Sequence, residues 1–369
     1  MKKVCIVFAS APRHMIMANI YFDYLKQNGI PYDVIYMNKY DEDENTGAEV
    51  NYPVSYKKKN KLQKLFGFFK FGKEASSILK KNKYGFVIVW SEYTAAFICR
   101  VLKKEYKQRY CVNVRDLNVG LRQVLNIPLN SAIKSSLFTT VSSEKYIPEL
   151  THNFDNYLFF HSYNQKVMDE TLQSMANIDK KPENNDKIRI LYIGYIRFYD
   201  HLIKFIEQIK NDPRYELTVA GAGSETIKSY IDDKGITNVI VHGKFPKEQT
   251  GEFLADADVI FNLYGTEDLN LRYALSNKLY YAVALGLPIL VYKNTYVAEL
   301  AEKCGIAFAA DDCLDGSFAD KFYDWYKSRD FDEIKLKCNE FLKDAIRSQD
   351  ELRSRMDEVK TQLLEIEEK

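Results

Sequence analysis

A run of unbroken apolar residues, Val4-Cys5-Ile6-Val7-Phe8, opens the chain, and its pattern constrains the fold more than any other feature. A strand with one wet face alternates apolar and polar residues; a strand covered on both faces does not. Lys3–Ala9 is therefore expected as a strand inside a parallel sheet. An amphipathic segment follows, with Ile16, Ile20 and Leu25 on a helical period, and Asn28-Gly29 stops it. Further strands are expected at Tyr32–Met37, Phe86–Trp90, Tyr110–Val114, Leu137–Val141 and Tyr157–Phe160, with a helix through Phe97 and Leu102. Strands alternating with helices predict a doubly wound α/β unit with helices on both faces of the sheet.

The polar stretch Asp179–Lys187, which contains Pro182, reads as a linker. The alternation then restarts, with strands at Ile188–Ile193, Tyr215–Ala220, Val239–Val241, Val259–Leu263 and Pro288–Tyr292. Helices fall between them at Leu202–Ile209, Ile227–Ile231, Thr250–Leu254 and Lys278–Leu285. The expected architecture is two Rossmann-like domains, 1–178 and 188–330, followed by a charged helical tail over 331–369. That tail, without Gly or Pro, either packs back across the first domain or extends as an interaction helix. In open parallel sheets ligands bind outside the carboxyl ends of the strands. With two such units a site is expected in a cleft between them.

Composition narrows the class. A chain of 369 residues is long enough for two domains, and 46% hydrophobic with 28% charged residues is ordinary for a globular protein. No apolar run reaches the roughly 18–20 residues needed to span a membrane. The apolar stretch after Met1-Lys2-Lys3 ends by Pro12, too short for a secretory signal, so a cytoplasmic location is expected. The six cysteines show no Cys-x-x-Cys spacing and no histidine cluster beside them, which argues against zinc and against a disulfide framework. Charge is uneven: 25 Lys and Arg against 16 Asp and Glu up to Glu170, and 27 against 35 after it, net +9 and −8. One half is thus suited to a negatively charged partner.

Three segments of the second half carry residue types suited to a phosphate. Gly194 ends a strand and allows close backbone approach, and Arg197 beside it offers a fixed fork of donors. Gly221-Ala222-Gly223 also follows a strand, without the third glycine of a dinucleotide fingerprint, so NAD is disfavoured. Ser276 or Asn277 can cap a helix opening near Lys278. A lysine in a first helical turn sits at the positive end of the macrodipole, at a cost of about 0.3–1 kcal/mol. A bound diphosphate reverses that sign.

In order and spacing these segments resemble retaining glycosyltransferases of family four, which have the GT-B fold, and among them those of bacterial capsular and exopolysaccharide synthesis. The resemblance runs through Gly194…Arg197, Gly221-Ala-Gly223, His242-Gly243-Lys244, Ala257-Asp258-Val259, Asn277-Lys278, Ala284-Leu-Gly286-Leu-Pro288 and Val297-Ala-Glu299-Leu. It covers Ile188–Ala310 well and the first half weakly, through Val114-Arg115-Asp116, Val141-Ser142-Ser143 and His161-Ser162. It implies transfer of a sugar from a UDP- or GDP-sugar to a glycan or lipid-linked acceptor, with no metal and no other cofactor. Arg197 and Lys278 would then grip the donor diphosphate, with Gly194, Gly221, Gly223, Lys244, Tyr264 and Asn277 around the nucleotide and Glu299 on donor hydroxyls. The chain departs from the pattern where Tyr273 and Tyr281 replace a Glu-x7-Glu pair and Leu202 replaces a phosphate-side lysine.

The first half is left for the acceptor. Arg115 and Asp116 follow a buried strand directly, and Asp116 is suited to bind or deprotonate an acceptor hydroxyl. Ser10, Arg13 and His161 also follow strands. The acidic groups Asp41-Glu42-Asp43 and Asp256-Ala257-Asp258 are not assigned to a metal, since the first is a loop and the second spans a helix-to-strand junction. The basic and aromatic segment Lys57–Lys73, with Leu62, Leu65, Phe66 and Phe69 at helical spacing, resembles a surface that lies on anionic lipid at the inner face of the plasma membrane. The acidic second half argues against nucleic acid. Two rival readings stand: a sugar-nucleotide epimerase or phosphorylase of the same architecture, and a non-catalytic partner subunit. Oligomeric state is not legible.

Overall fold

A computed structural model describes residues 2–40, 42, 44–56, 61–117, 119–151, 154–176, 187–311 and 314–368. The chain divides into two compact units: Met1–Ser162 with Arg347–Lys369, and Tyr163–Ile346. The linker expected at 179–187 lies, apart from Lys187, outside the described residues.

The first unit is a seven-stranded sheet of strands β1 (Val4–Phe8), β2 (Tyr32–Asn38), β3 (Val50–Ser55), β4 (Phe86–Trp90), β5 (Tyr110–Val114), β6 (Phe138–Val141) and β7 (Tyr157–Phe159). Its order is β3-β2-β1-β4-β5-β6-β7, and every neighbouring pair is parallel. Helices α1 (Asn19–Gln27), α2 (Lys61–Asn82), α3 (Glu92–Glu105) and α4 (Val119–Ser135) make the crossovers. The central strands β1, β4, β5 and β6 are buried at every residue, as strands covered on both faces are; the polar Asn113, Thr139 and Thr140 among them are hydrogen-bonded. Strand β3 escapes the apolar pattern because it is an edge strand that contains Pro53 and exposes several residues; proline is tolerated at an edge because no ladder hydrogen bond is lost there.

The second unit repeats the scheme with six strands. In chain order it has α5 (Gln165–Ala176), β8 (Ile188–Ile193), α6 (Tyr199–Ile209), β9 (Tyr215–Ala220), α7 (Glu225–Lys234), β10 (Val239–His242), α8 (Thr250–Ala255) and β11 (Val259–Phe261). It continues with α9 (Leu269–Tyr273), α10 (Asn277–Leu285), β12 (Ile289–Tyr292), α11 (Tyr296–Lys303), β13 (Ala307–Ala310) and α12 (Phe318–Lys327). The strand order is β10-β9-β8-β11-β12-β13, again with parallel pairs throughout. The two Rossmann-like parallel units expected from the sequence are thus both present. Cys5, Cys99, Cys111, Cys304 and Cys338 are buried free thiols; Cys313 lies outside the described residues.

Helix α13 (Phe331–Glu368) resolves the two expectations for the tail. Ile334 and Cys338 join the core of the second unit. From Arg347 onward the helix belongs to the first unit, where Leu352, Met356, Val359 and Leu363, three or four residues apart, share the core with Val4 and Phe22. Its polar side adds ties: Asp357 accepts from the hydroxyl of Tyr24, Lys360 Nζ donates to Asn28 Oδ1 at 2.9 Å, and the Ser348 hydroxyl accepts from His161 N at 3.0 Å. The α-carbon of Gly85 lies so close to Leu363 that an added Cβ would overlap its side chain. Met356 is 1% exposed. Met356→Ala is expected to cost about 2–5 kcal/mol, the range for a methionine truncated in a packed core, seen as a lower urea midpoint without a change in far-ultraviolet dichroism.

Candidate functional site

In each sheet the strand order reverses at one place, and there the loops leaving the carboxyl ends diverge and open a crevice. In the second unit the reversal falls at β8, between β9 and β11. The loops that leave β8, β9 and β11 carry Gly194–Phe198, Gly221–Gly223 and Asn262–Asp268.

Glycine is required at two of these positions. Gly194 has φ +112° and Gly221 φ +146°, a region that L side chains rarely adopt. A Cβ on Gly221 would overlap the carbonyl of Gly194, so the two loops touch through bare backbone, pinned by Gly194 N to Ala220 O at 2.9 Å and Ile196 N to Ala222 O at 3.0 Å. A Cβ on Gly194 would stand 3.7 Å from Lys278 Nζ. The ammonium therefore lies directly over the strand end.

Lys278 reaches that place from the first turn of α10. Ser276 caps the helix, its hydroxyl accepting from Lys278 N at 3.1 Å and donating to Asn262 Oδ1 at 2.7 Å. The ammonium lies 5.3 Å from the ring centre of Tyr192 and 4.8 Å from that of Tyr264, within cation–π range. Tyr264 stacks on Phe198, with ring centres 4.6 Å apart. Among the described residues no carboxylate forms an ion pair with Lys278 or with Arg197. Desolvation in this aromatic enclosure, followed by the nearby charge of Arg197, brings the Lys278 pKa down to about 7. Arg197 is exposed and leans over Tyr195 at 6.0 Å.

The structure thus gathers Gly194, Gly221, Tyr264 and Lys278, with Arg197 close enough to act on Lys278 electrostatically. Gly223, φ +90°, packs near Ile196 in the same loop pair. Asn277 is exposed as the first residue of α10, Glu299 is exposed in the first turn of α11, and Lys244 is exposed beyond the edge strand β10. No described contact joins Lys244 to the group. Leu202 is fully buried in the core, and Tyr281 is half-buried against apolar neighbours. Asp258 forms a two-point pair with Arg189, at 2.7 and 2.9 Å, with Asp256 at 3.7 Å from the same guanidinium.

In the first unit the reversal falls at β1, beside β4. Backbone N of Ala9 donates to the Thr94 hydroxyl at 2.9 Å, joining the two loops. Ser10 Oγ accepts from Lys39 at 2.9 Å. Arg13 does not stand open to a ligand: Glu44 takes its Nε at 2.6 Å, Glu42 takes a second nitrogen, and Tyr40 lies beneath it. Asp41 and Asp43 lie outside the described residues. Arg115 lies over Trp90 and Phe160, at 5.6 and 5.1 Å, and donates to Ser162. Asp116 is exposed, and His161 is buried with its ring 4.5 Å from Phe159.

Sequence reasoning missed several residues here. Glu92, 2% exposed, begins α3 directly after Ser91, whose φ of +81° and ψ of +149° are rare for a residue with a Cβ. Glu92 and Asp116 both act on Tyr93 and Tyr146, which places the two carboxylates in one neighbourhood. In the second unit the missed residues are Tyr192, Phe198, His201 and Glu267. For Glu92, an acid just beyond the carboxyl end of β4 was the available signal.

Two Rossmann-like parallel-sheet units and a closing C-terminal helix define the GT-B fold. Residues 173–340, within the second unit, match the family model described as Glycosyl transferases group 1. No curated protein sequence matches the chain. Solved structures are similar to it in fold at low identity. A glycosyltransferase from Rickettsia africae is 14% identical with TM-score 0.67, covering 98% of this chain and 99% of the other. Anabaena Alr3699/HepE in complex with UDP is 9% identical with TM-score 0.65, covering 96% and 100%. UDP-GlcNAc 2-epimerase from Methanocaldococcus jannaschii is 15% identical with TM-score 0.56, covering 89% and 93%.

The lowered Lys278 pKa carries a stability signature. Between about 7 and the ordinary lysine value of 10.5 the folded protein leaves this lysine neutral while the unfolded chain protonates it. The unfolded state binds more protons there, so stability from this group rises with pH across that window and is lowest below about 7. Lys278→Met removes the penalty. Its melting temperature at pH 6 is expected above that of the wild type, by about 2–4 °C per kcal/mol relieved, and the gain is expected to vanish near pH 10, followed by calorimetry across pH.

Proposed function

We propose that this chain is a glycosyltransferase that moves a hexosyl group from a UDP- or GDP-sugar to a glycan or lipid-linked saccharide in surface polysaccharide synthesis. Transfer proceeds with retention at the sugar carbon and without a metal. One observation carries the reading: Lys278 is held desolvated over Gly194 beside a second cation, Arg197, with no described carboxylate pairing either. Two like charges without a counterion are unfavourable until an anion arrives, and a diphosphate is the anion such a pair best suits.

In this reading the pyrophosphate sits between Arg197, Lys278 and the N-terminus of α10. The bond from the sugar carbon to the diphosphate oxygen breaks and a bond to an acceptor oxygen forms. The two cations hold the negative charge that develops on the leaving group, which is the largest single contribution in reactions of this kind. Asn277, Tyr264, Gly221, Gly223 and Lys244 line the nucleotide, and Glu299 meets donor hydroxyls. The first unit binds the acceptor through Ser10, Arg13, Arg115 and His161. Asp116 accepts the hydroxyl proton. Arg13 takes part only by exchanging Glu42 and Glu44 for substrate.

Arg197→Ala and Lys278→Ala are each expected to lower kcat/KM by about 100-fold or more, with folding intact by dichroism. A coupled assay for released UDP or GDP over a panel of nucleotide-sugars reads this. Full turnover in both variants would end the assignment. The likeness to an epimerase structure keeps a second reading, and the same assay separates them: an epimerase alters the nucleotide-sugar with no acceptor present.

The cytoplasmic membrane face is the proposed place of action. No helix among the described residues is long and apolar enough to cross a membrane. On α2, however, Leu65, Phe66 and Phe69 are 46%, 70% and 55% exposed, beside exposed Lys70 and Lys73. Residues 57–60 lie outside the described part, but their sequence adds three lysines. Each lysine near an anionic surface contributes about 1 kcal/mol. Wild-type protein is expected to sediment with phosphatidylglycerol vesicles and not with phosphatidylcholine vesicles, and Phe66→Ser with Phe69→Ser to abolish sedimentation while transfer to a soluble acceptor persists.

A further inference from the structure

His201 makes no contact with the group built above, yet it ties the β11 loop, which forms part of it, to α6 and β12. It stands on the first turn of α6, four residues after Arg197. Its Nε2 lies 2.7 Å from Glu267 Oε1, in the loop after β11 that also carries Tyr264. Its Nδ1 lies 2.9 Å from the hydroxyl of Tyr292, the last residue of β12 and the start of the turn into α11. A carboxylate only accepts, so Nε2 carries the proton and donates to Glu267. In the neutral ring Nδ1 then accepts from the Tyr292 hydroxyl, so both partners select one tautomer and one ring orientation.

Gly265 closes this arrangement. It has φ +97°, and a Cβ there would overlap the Glu267 carboxylate and approach His201 Nε2 to 2.7 Å. The backbone of the β11 loop is therefore drawn against the imidazole immediately next to Tyr264. Tyr264 in turn stacks on Phe198 from the β8 loop and lies over Lys278.

We infer that His201 is a positioning residue: it ties the β11 loop to α6 and β12, and so holds Tyr264 as the wall that encloses the Lys278 ammonium for a nucleoside diphosphate. This rests on the donor reading given above. Its chemistry is distinct from that reading, because His201 needs no contact with the ligand. With the tie broken, the Tyr264 wall loosens and the loop has to be ordered anew at each binding event. Binding then weakens without loss of either cation.

The test is calorimetric titration of the full chain with UDP and with GDP. His201→Phe keeps a planar ring and removes both hydrogen bonds; His201→Gln keeps a donor toward Glu267. The expected result is a dissociation constant about tenfold weaker in His201→Phe, equivalent to 1.4 kcal/mol, with most of the affinity restored in His201→Gln. In a Lys278→Met background His201→Phe is expected to have little further effect, since both changes act on one enclosure. A general loss of packing would instead weaken binding equally in both backgrounds. Wild-type affinity in His201→Phe, or full additivity with Lys278→Met, overturns the inference and leaves the donor site standing. Failure of the wild-type protein to bind either nucleotide overturns the donor reading and this inference with it.

Discussion

A desolvated ammonium next to a guanidinium is the constraint around which the second unit is built. An unpaired charge away from water is costly, and a second charge of the same sign adds to the cost. The fold sustains it by rigid means. Gly194 and Gly221 let two loops meet backbone to backbone, which leaves no play beneath Lys278. Ser276 fixes the start of α10 to Asn262, so the lysine enters the crevice from one direction. Tyr192 and Tyr264 offer ring faces, the one apolar surface that still attracts a cation. None of these contacts pairs the ammonium with an acid, the arrangement expected where binding rather than stability governs a residue.

The first unit shows the same economy in another form. Its crevice also falls where the strand order reverses, and its strain is concentrated there: Ser91 adopts a backbone conformation suited to glycine, directly before the buried Glu92. Strain of this kind persists only when the surroundings over-determine it. Here they do so through Thr94, whose hydroxyl lies 3.0 Å from Ser91 Oγ and binds Ala9 N in the neighbouring loop. Arg115 lies over Trp90 and Phe160, so its charge too stands against aromatic faces. Both crevices thus place charge against rings at the carboxyl ends of strands.

Sequence alone disclosed those features that depend on local pattern. Unbroken apolar runs marked β1 and β4, because burial on both faces favours apolar residues at every position. The start of α10, with Ser276 or Asn277 as its cap, was legible because caps are written within a few residues; the structure selects Ser276. Features set by distant partners were not. His201 looks like any helix residue until Tyr292, 91 positions away, and Glu267, 66 away, come into reach. Arg13 read as an open cation because nothing in its own segment foretells that Glu42 and Glu44 fold back on it. On α2 the apolar positions were legible but not their direction: Phe68 and Phe71 face the core while Phe66 and Phe69 face outward. A helical period shows that a stripe exists; only packing shows which of two stripes is covered.

The departures from the family-four pattern acquire a common physical meaning at Lys278. Position 281 lies three residues further along α10. Tyr281 packs there among apolar neighbours, whereas the Lys278 ammonium is turned toward Gly194, Tyr192 and Tyr264. Leu202, the second departure, belongs to the hydrophobic core with Phe205 and Ile206. Among the described residues, the cations brought together at this crevice are Arg197 and Lys278. Desolvation first, and the charge of Arg197 second, loosen the proton on Lys278, and an incoming anion between the two cations would reverse both effects.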